Sequence, residues 1–133
     1  MKYLCLIYNE EKSFAALAPA AVDTMMGEYN EFTADIRSRG IFEAGEALVP
    51  TSSATTVRVK NGETVTTDGP FAETKEALGG FYLVNAKDLD EAIELAARIP
   101  AARHGSIEVR PIFDFSDEMA AAGAASASAG SQG

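Results

Sequence analysis

Two runs of this chain are apolar on both faces at strand length: residues 2–8, through Tyr3-Leu4-Cys5-Leu6-Ile7-Tyr8, and Gly79-Gly80-Phe81-Tyr82-Leu83-Val84. A strand without polar alternation has to be covered on both faces. This demand limits the fold more than any other feature, because the chain offers only two amphipathic helices to meet it. In the first, Val22, Met25, Met26, Tyr29, Phe32 and Ile36 recur at steps of three and four and predict one buried stripe. Arg37 and Arg39 suit the negative end of its dipole, and Gly40 is placed to end it. The second helix opens on a capping box, with Asp88 as N-cap and Glu91 three positions on. Leu89, Ala92, Ile93 and Ala96 form its predicted buried stripe, and it stops near Ile99-Pro100.

The remaining segments complete an order. Residues 9–20 read as a loop with a helical turn near Phe14 to Leu17. Ile41 to Val49 reads as a strand in which Gly45 marks a bulge or a close backbone approach. Thr55 to Lys60 and Glu63 to Thr67 flank Asn61-Gly62, a hairpin signal. A two-residue loop would pair Val57 with Thr66. The apolar pattern favours a three-residue loop that pairs Val57 with Val65. Ser106 to Phe113 is the last strand, with Ile107 and Val109 on one face and Glu108 and Arg110 on the other.

The expected class is therefore α+β, a ferredoxin-like βαββαβ plan with an inserted β-hairpin, the first and third core strands lying centrally. Two helices cover one face of such a sheet. The apolar residues on the other face predict a homodimer packed sheet to sheet. A chain of 133 residues suits one domain, over residues 1–115, and the Ala-, Ser- and Gly-rich residues 116–133 read as a disordered tail.

A formal net charge of −9 argues against a nucleic-acid surface and against docking on an anionic membrane. The opening apolar run is too short for a secretion signal and no run has the length of a membrane span, so a cytoplasmic protein is expected. The single Cys5 excludes an internal disulfide and a cysteine-based zinc site, and its apolar setting predicts a buried, inert thiol. No His/Cys set has metal-ligand spacing, no glycine-rich loop precedes a helix in the nucleotide-binding pattern, and no serine sits in a nucleophile elbow. Neither a metal nor an organic cofactor is expected.

Chemistry is concentrated in two places. Thr67-Asp68-Gly69-Pro70-Phe71 reads as a stiff turn: Gly69 is pushed toward extended backbone by Pro70, whose own φ is fixed. Such a corner can hold the Asp68 carboxylate in one position for a site, or Asp68 can cap the turn through backbone N–H groups. His104 is the only side chain that titrates near neutral pH without perturbation. It falls among Arg98, Arg103 and Arg110, a local basic patch that reads as an anion site or as arginines paired to glutamates. In the catalytic reading Asp68 orients the His104 ring, His104 moves a proton as general acid or base, and Arg103 or Arg110 binds the charge of a small anionic substrate. Tyr8, at the end of a central strand, lines the cavity or is buried with its hydroxyl satisfied.

Asp68-Gly69-Pro70-Phe71, followed by Ala72-Glu73-Thr74-Lys75-Glu76 and Gly79-Gly80-Phe81, resembles the signature of the YCII-related proteins of the DGPF-domain branch. The opening Lys2 to Tyr8 and the closing Gly105 to Pro111 are similar to the same branch, so the resemblance covers roughly residues 1–115. It implies a dimeric α/β barrel built from ferredoxin-like protomers. It also implies a His–Asp pair in a cleft, which falls here on His104 and Asp68. The branch whose histidine lies in the first helix region differs from this chain, which has none between Val22 and Gly40. The resemblance further implies a link to extracytoplasmic-function sigma factors. Two readings follow: a cofactor-free acid/base enzyme of lyase, isomerase or hydrolase type, or a non-catalytic ligand-binding or regulatory module linked to such a sigma factor.

Overall fold

The computed structural model describes residues 1–115, so the proposed tail lies outside the described residues. Strand β1 runs over Lys2–Asn9, helix α1 over Glu11–Ala15, helix α2 over Pro19–Ser38 and strand β2 over Phe42–Ala47. Strands β3 (Thr55–Lys60) and β4 (Glu63–Asp68) follow, then β5 (Ala77–Asn85), helix α3 (Leu89–Arg98), a 3-10 turn at Pro100–Arg103 and strand β6 (Ser106–Pro111). The four core strands are antiparallel in the order β2-β5-β1-β6, and β3 and β4 form a separate two-stranded sheet. Counted among the core strands alone, that order is 2-3-1-4, the ferredoxin-like arrangement with the two wholly apolar strands in the centre.

The side chains sort cleanly by face. Tyr3, Cys5 and Ile7 of β1 and Tyr82 and Val84 of β5 form one buried core with Phe32 and Ile36 of α2 and Ala92, Leu95 and Ala96 of α3. The Phe32 and Tyr82 rings meet edge to face at 5.2 Å, and Thr33 Oγ1 and the Tyr82 hydroxyl share a 2.7 Å hydrogen bond. The opposite face carries Leu4, Leu6 and Tyr8 beside Phe81 and Leu83, all only half-buried. Among the described residues nothing packs over this second apolar layer closely enough to bury it.

Local signals act where they were read. Gly40 has φ +70°, and the N–H groups of Gly40 and Ile41 donate to the carbonyls of Arg37 and Ile36, the pairing that closes a Schellman end. The Asp88 carboxylate accepts from the Glu91 N–H at 2.9 Å, and Glu91 reaches back to the Lys87 N–H at 3.0 Å. Gly45 makes the close approach expected of it: a Cβ there would lie 3.0 Å from the Tyr82 ring. The irregularity in β2 falls between Phe42 and Ala44 instead.

Four expectations are corrected. The hairpin pairs Val57 with Thr66, not Val65, because Asn61 (φ 51°) and Gly62 (φ 80°) both take left-handed backbone and close a two-residue turn. Neither face of that hairpin lies on a core, so turn chemistry alone sets its register. Gly69 takes φ +100°, a conformation reserved for glycine, not the extended backbone expected before proline. On α2 only Phe32 and Ile36 are buried, since its earlier turns, with Ala21, Thr24, Met25 and Glu28, face the open space beside α1, and Met26 is exposed. On α3 the buried row is Ala92, Leu95 and Ala96, and Ile93 is 51% exposed with Leu89 beside it, because the helix is turned so that Leu95 rather than Ile93 enters the core. Among the described residues no helix is long and apolar enough to cross a membrane.

Candidate functional site

The site grows from the connection between α3 and β6. Pro100 and Ala101 are buried and anchor the 3-10 turn to the core, which leaves Arg103 and His104 on its outer side. The N–H groups of His104 (3.1 Å) and Gly105 (2.7 Å) both donate to the Ala101 carbonyl and lock the turn. Gly105 then passes directly under β1, where a Cβ would lie 2.1 Å from the Tyr8 carbonyl oxygen. Only glycine fits there, and the contact fixes where His104 stands relative to the end of β1.

Beside this turn lies a cleft of about 430 Å³. One wall is the end of β1 and helix α1, with Asn9, Glu10, Ser13 and Phe14, continuing to Leu17. Ala21, Thr24, Met25 and Glu28 of α2 form the second wall, and Ala101, Arg103 and His104 the third. Phe14, Leu17, Ala21, Met25 and Ala101 make the interior mainly apolar, while the charged groups sit at its rim. A largely apolar hollow of this size with a few convergent polar groups is the usual form of a small-molecule site. The far wall is held by Glu11, whose carboxylate accepts the Thr51 hydroxyl at 2.6 Å and its N–H at 2.8 Å, bonds that lower the Glu11 pKa and tie α1 to the 3-10 turn at Thr51–Ser53 ahead of the hairpin.

The five residues singled out from the sequence separate into three groups. Arg103 and His104 line the cleft. Tyr8 and Arg110 lie on the open face of the sheet, on β1 and β6, where Tyr8 stands opposite Ser106 and Arg110 opposite Leu4. Asp68 ends β4 in the separate sheet, exposed, and no hydrogen bond or ion pair joins it to His104 among the described residues. Its carboxylate bonds no backbone N–H either. The corner is held by the backbone instead: the Gly69 N–H donates to the Ala54 carbonyl at 2.7 Å, and Thr56 Oγ1 donates to the Gly69 carbonyl at 2.9 Å.

The basic patch is dispersed. Arg98 pairs with Asp35 at 2.8 Å, Arg103 with Glu28 at 2.7 Å, and Arg110 with Glu108. The Glu108 carboxylate raises the Arg110 pKa, and Arg98, with Arg39, lowers that of Asp35. The arginines are therefore paired with acids, the second of the two alternatives read from the sequence. The His104 imidazole bonds no other side chain among the described residues and faces the cleft with both nitrogens available. Near it the Tyr29 phenol is half-buried, and desolvation raises its pKa against the opposing effect of the Ala101 backbone. Among the described residues no three His, Cys, Asp or Glu side chains are grouped to hold a metal ion.

Sequence reasoning missed Asn9, Glu10, Ser13, Phe14, Met25 and Glu28 as lining residues. A signal was present: Phe14 and Leu17 are apolar residues in a short connection, four or more positions ahead of the core stripe of α2, with no evident place in the core.

The sequence motifs, the strand order and the cleft at the α3–β6 connection describe one recognisable unit. A family model for the YCII-related domain matches residues 1–116, which takes in every described residue. The protein belongs to the YCII-related family. It is also 40% identical over 114 residues to an uncharacterized protein of Rhizobium meliloti (strain 1021), covering 84% of this chain and 92% of that relative. As a YCII-related protein it has the ferredoxin-like protomer expected from its motifs, with the single histidine brought to a cleft. The motif aspartate lies elsewhere in the same chain.

Proposed function

We propose that this YCII-related protein is a homodimer that binds a small, largely apolar molecule in the helix-side cleft of each protomer, with His104 as the group that moves a proton to or from it. The observation that carries this reading is the position of His104. It is the chain's only histidine, and its unpaired imidazole stands at the rim of a mainly apolar hollow of about 430 Å³. An imidazole with both nitrogens free can accept a proton at one and donate one from the other.

The dimer rests on a separate observation. Leu4, Leu6, Phe81 and Leu83 make a continuous apolar layer on the open face, and hydrophobic surface of this kind on a central sheet is normally covered. A second copy of the same face satisfies both partners at once. The β3–β4 hairpin supports the same reading. A two-stranded hairpin is marginal by itself, yet this one leaves Val57 and Val59 exposed, and the turn after it holds Phe71 at 80% exposure.

The test uses the full chain and a library of small aromatic and aliphatic compounds. Because there is one histidine, its two imidazole CH signals are identified without assignment work. Binding compounds are expected to shift those signals, and Leu17→Trp, which fills the cleft, is expected to abolish the shifts while the protein stays folded. Compounds that bind but perturb only Leu4, Leu6 and Leu83 methyl signals, leaving His104 unchanged, would place the ligand on the open face and overturn the proposal.

A further inference from the structure

The charges around the cleft select among the ligands it could take. Four ionisable side chains face it: Glu10 from the end of β1, Glu28 from α2, and Arg103 and His104 from the 3-10 turn and its end. Arg103 is engaged by Glu28 at 2.7 Å, so these two cancel. Among the described residues no cation pairs with Glu10. Its carboxylate accepts only the Ser13 hydroxyl, from another residue of the same wall. With His104 neutral the rim therefore carries one uncompensated negative charge above an apolar floor that includes Phe14 and Met25. An aromatic ring and a thioether are both favourable neighbours for a cation's organic body. The net charge of −9 draws cations toward the molecule from a distance.

We infer that the cleft selects small apolar molecules bearing one protonated amine, with Glu10 as the counter-ion, over neutral and acidic molecules of the same shape. This rests on the cleft being the ligand site. It adds the charge of the ligand, and it reverses the anionic substrate that the run of arginines suggests in the sequence. At the roughly 30 Å³ that one water molecule takes in the liquid, the hollow of about 430 Å³ has room for about fourteen non-hydrogen atoms. A small aryl-alkyl amine fits within it.

Three matched probes decide it: 2-phenylethylamine, 2-phenylethanol and phenylacetate, titrated into the full chain at pH 7 with the His104 ring signals as the readout. The amine is expected to bind about three- to fivefold tighter than the alcohol, the effect of one partly solvated ion pair, and phenylacetate most weakly. The preference should shrink at high salt, as a screened charge interaction does. Glu10→Gln keeps an acceptor for Ser13 and is expected to bring the amine down to the alcohol while leaving the alcohol unchanged. Glu28→Gln frees Arg103 and is expected to raise phenylacetate above its wild-type affinity. Equal binding of all three probes, or an amine preference that survives Glu10→Gln, would overturn the amine selectivity and leave the cleft as a ligand site. Failure of all three to shift His104 would count against the cleft itself and take the selectivity with it.

Discussion

Gly105 is the position where one methyl group should do most damage. A Cβ built there stands 2.1 Å from the Tyr8 carbonyl oxygen and 3.1 Å from both the Tyr8 carbonyl carbon and Asn9 Cα. All three are backbone atoms of β1, so no side-chain rotation relieves the clash. Relief requires β6 to separate from β1 near the Tyr8–Ser106 pair, or the turn to give up the Gly105 N–H bond to the Ala101 carbonyl at 2.7 Å. Overpacking against rigid neighbours costs about 2–3 kcal/mol. For a domain of this size that lowers Tm by about 8–12 °C. Gly79→Ala is the control, since its Cβ would meet only the Asn9 side chain at 3.4 Å, an ordinary contact, and should change stability by less than about 1 kcal/mol. Thermal unfolding followed by circular dichroism measures both. The variant should also shift the His104 ring signals in the folded protein, because the same contact sets the histidine's position. A Gly105→Ala protein that melts within about 2 °C of wild type would refute the argument that this contact locks the turn.

Other perturbations test other parts of the account. Leu83→Arg on the open sheet face should convert the proposed homodimer into a folded monomer by sedimentation velocity, and a wild-type chain that already sediments as a monomer at micromolar concentration would contradict the dimer. Asp35 has its pKa lowered by hydrogen bonds from Arg98 and Arg39. Its contribution to stability is therefore complete above the unfolded-state value of about 3.9 and is lost as pH falls through the lower folded value. Asp35→Asn should accordingly flatten the acid limb of the Tm–pH curve below about pH 4 and leave its shape at neutral pH unaltered. Burial pushes the Cys5 thiol up to about 11, so at pH 8 it should resist alkylation in the native protein and react promptly in denaturant, as measured by mass spectrometry.

What was legible in the sequence was what depends on neighbours along the chain. The two apolar runs identified β1 and β5 as the central strands, Gly40 ended α2, and Asp88 with Glu91 started α3, each through contacts within a few residues. The hairpin register was misread because weight went to apolar matching. With no core against either face, the left-handed backbone of Asn61-Gly62 decided. The burial of Leu89 and Ile93 was misread because a periodic stripe fixes a face only to within one row, and the sheet took the row that holds Leu95.

The candidate site was half legible. His104 and Arg103 were found by residue type, and both reach the cleft. Proximity in sequence was the wrong guide to the rest. Arg98 points along the helix layer to Asp35, while Arg110 is carried to the open face by strand alternation, so a cluster within thirteen residues becomes three separate ion pairs. Asp68 and His104 belong to different sheets and connections. Glu10, Phe14 and Met25 come together only when α1 folds back beside α2, a tertiary event marked in the sequence only by the unplaced apolar Phe14 and Leu17.

The most direct test is a crystal structure of the full chain grown with 2-phenylethylamine. The account predicts the aryl group between α1 and α2 against Phe14 and Met25, and the amine within about 3 Å of the Glu10 carboxylate with His104 alongside. Density for the amine between the open sheet faces, beside Tyr8 and Arg110 with the helix-side hollow empty, would contradict it.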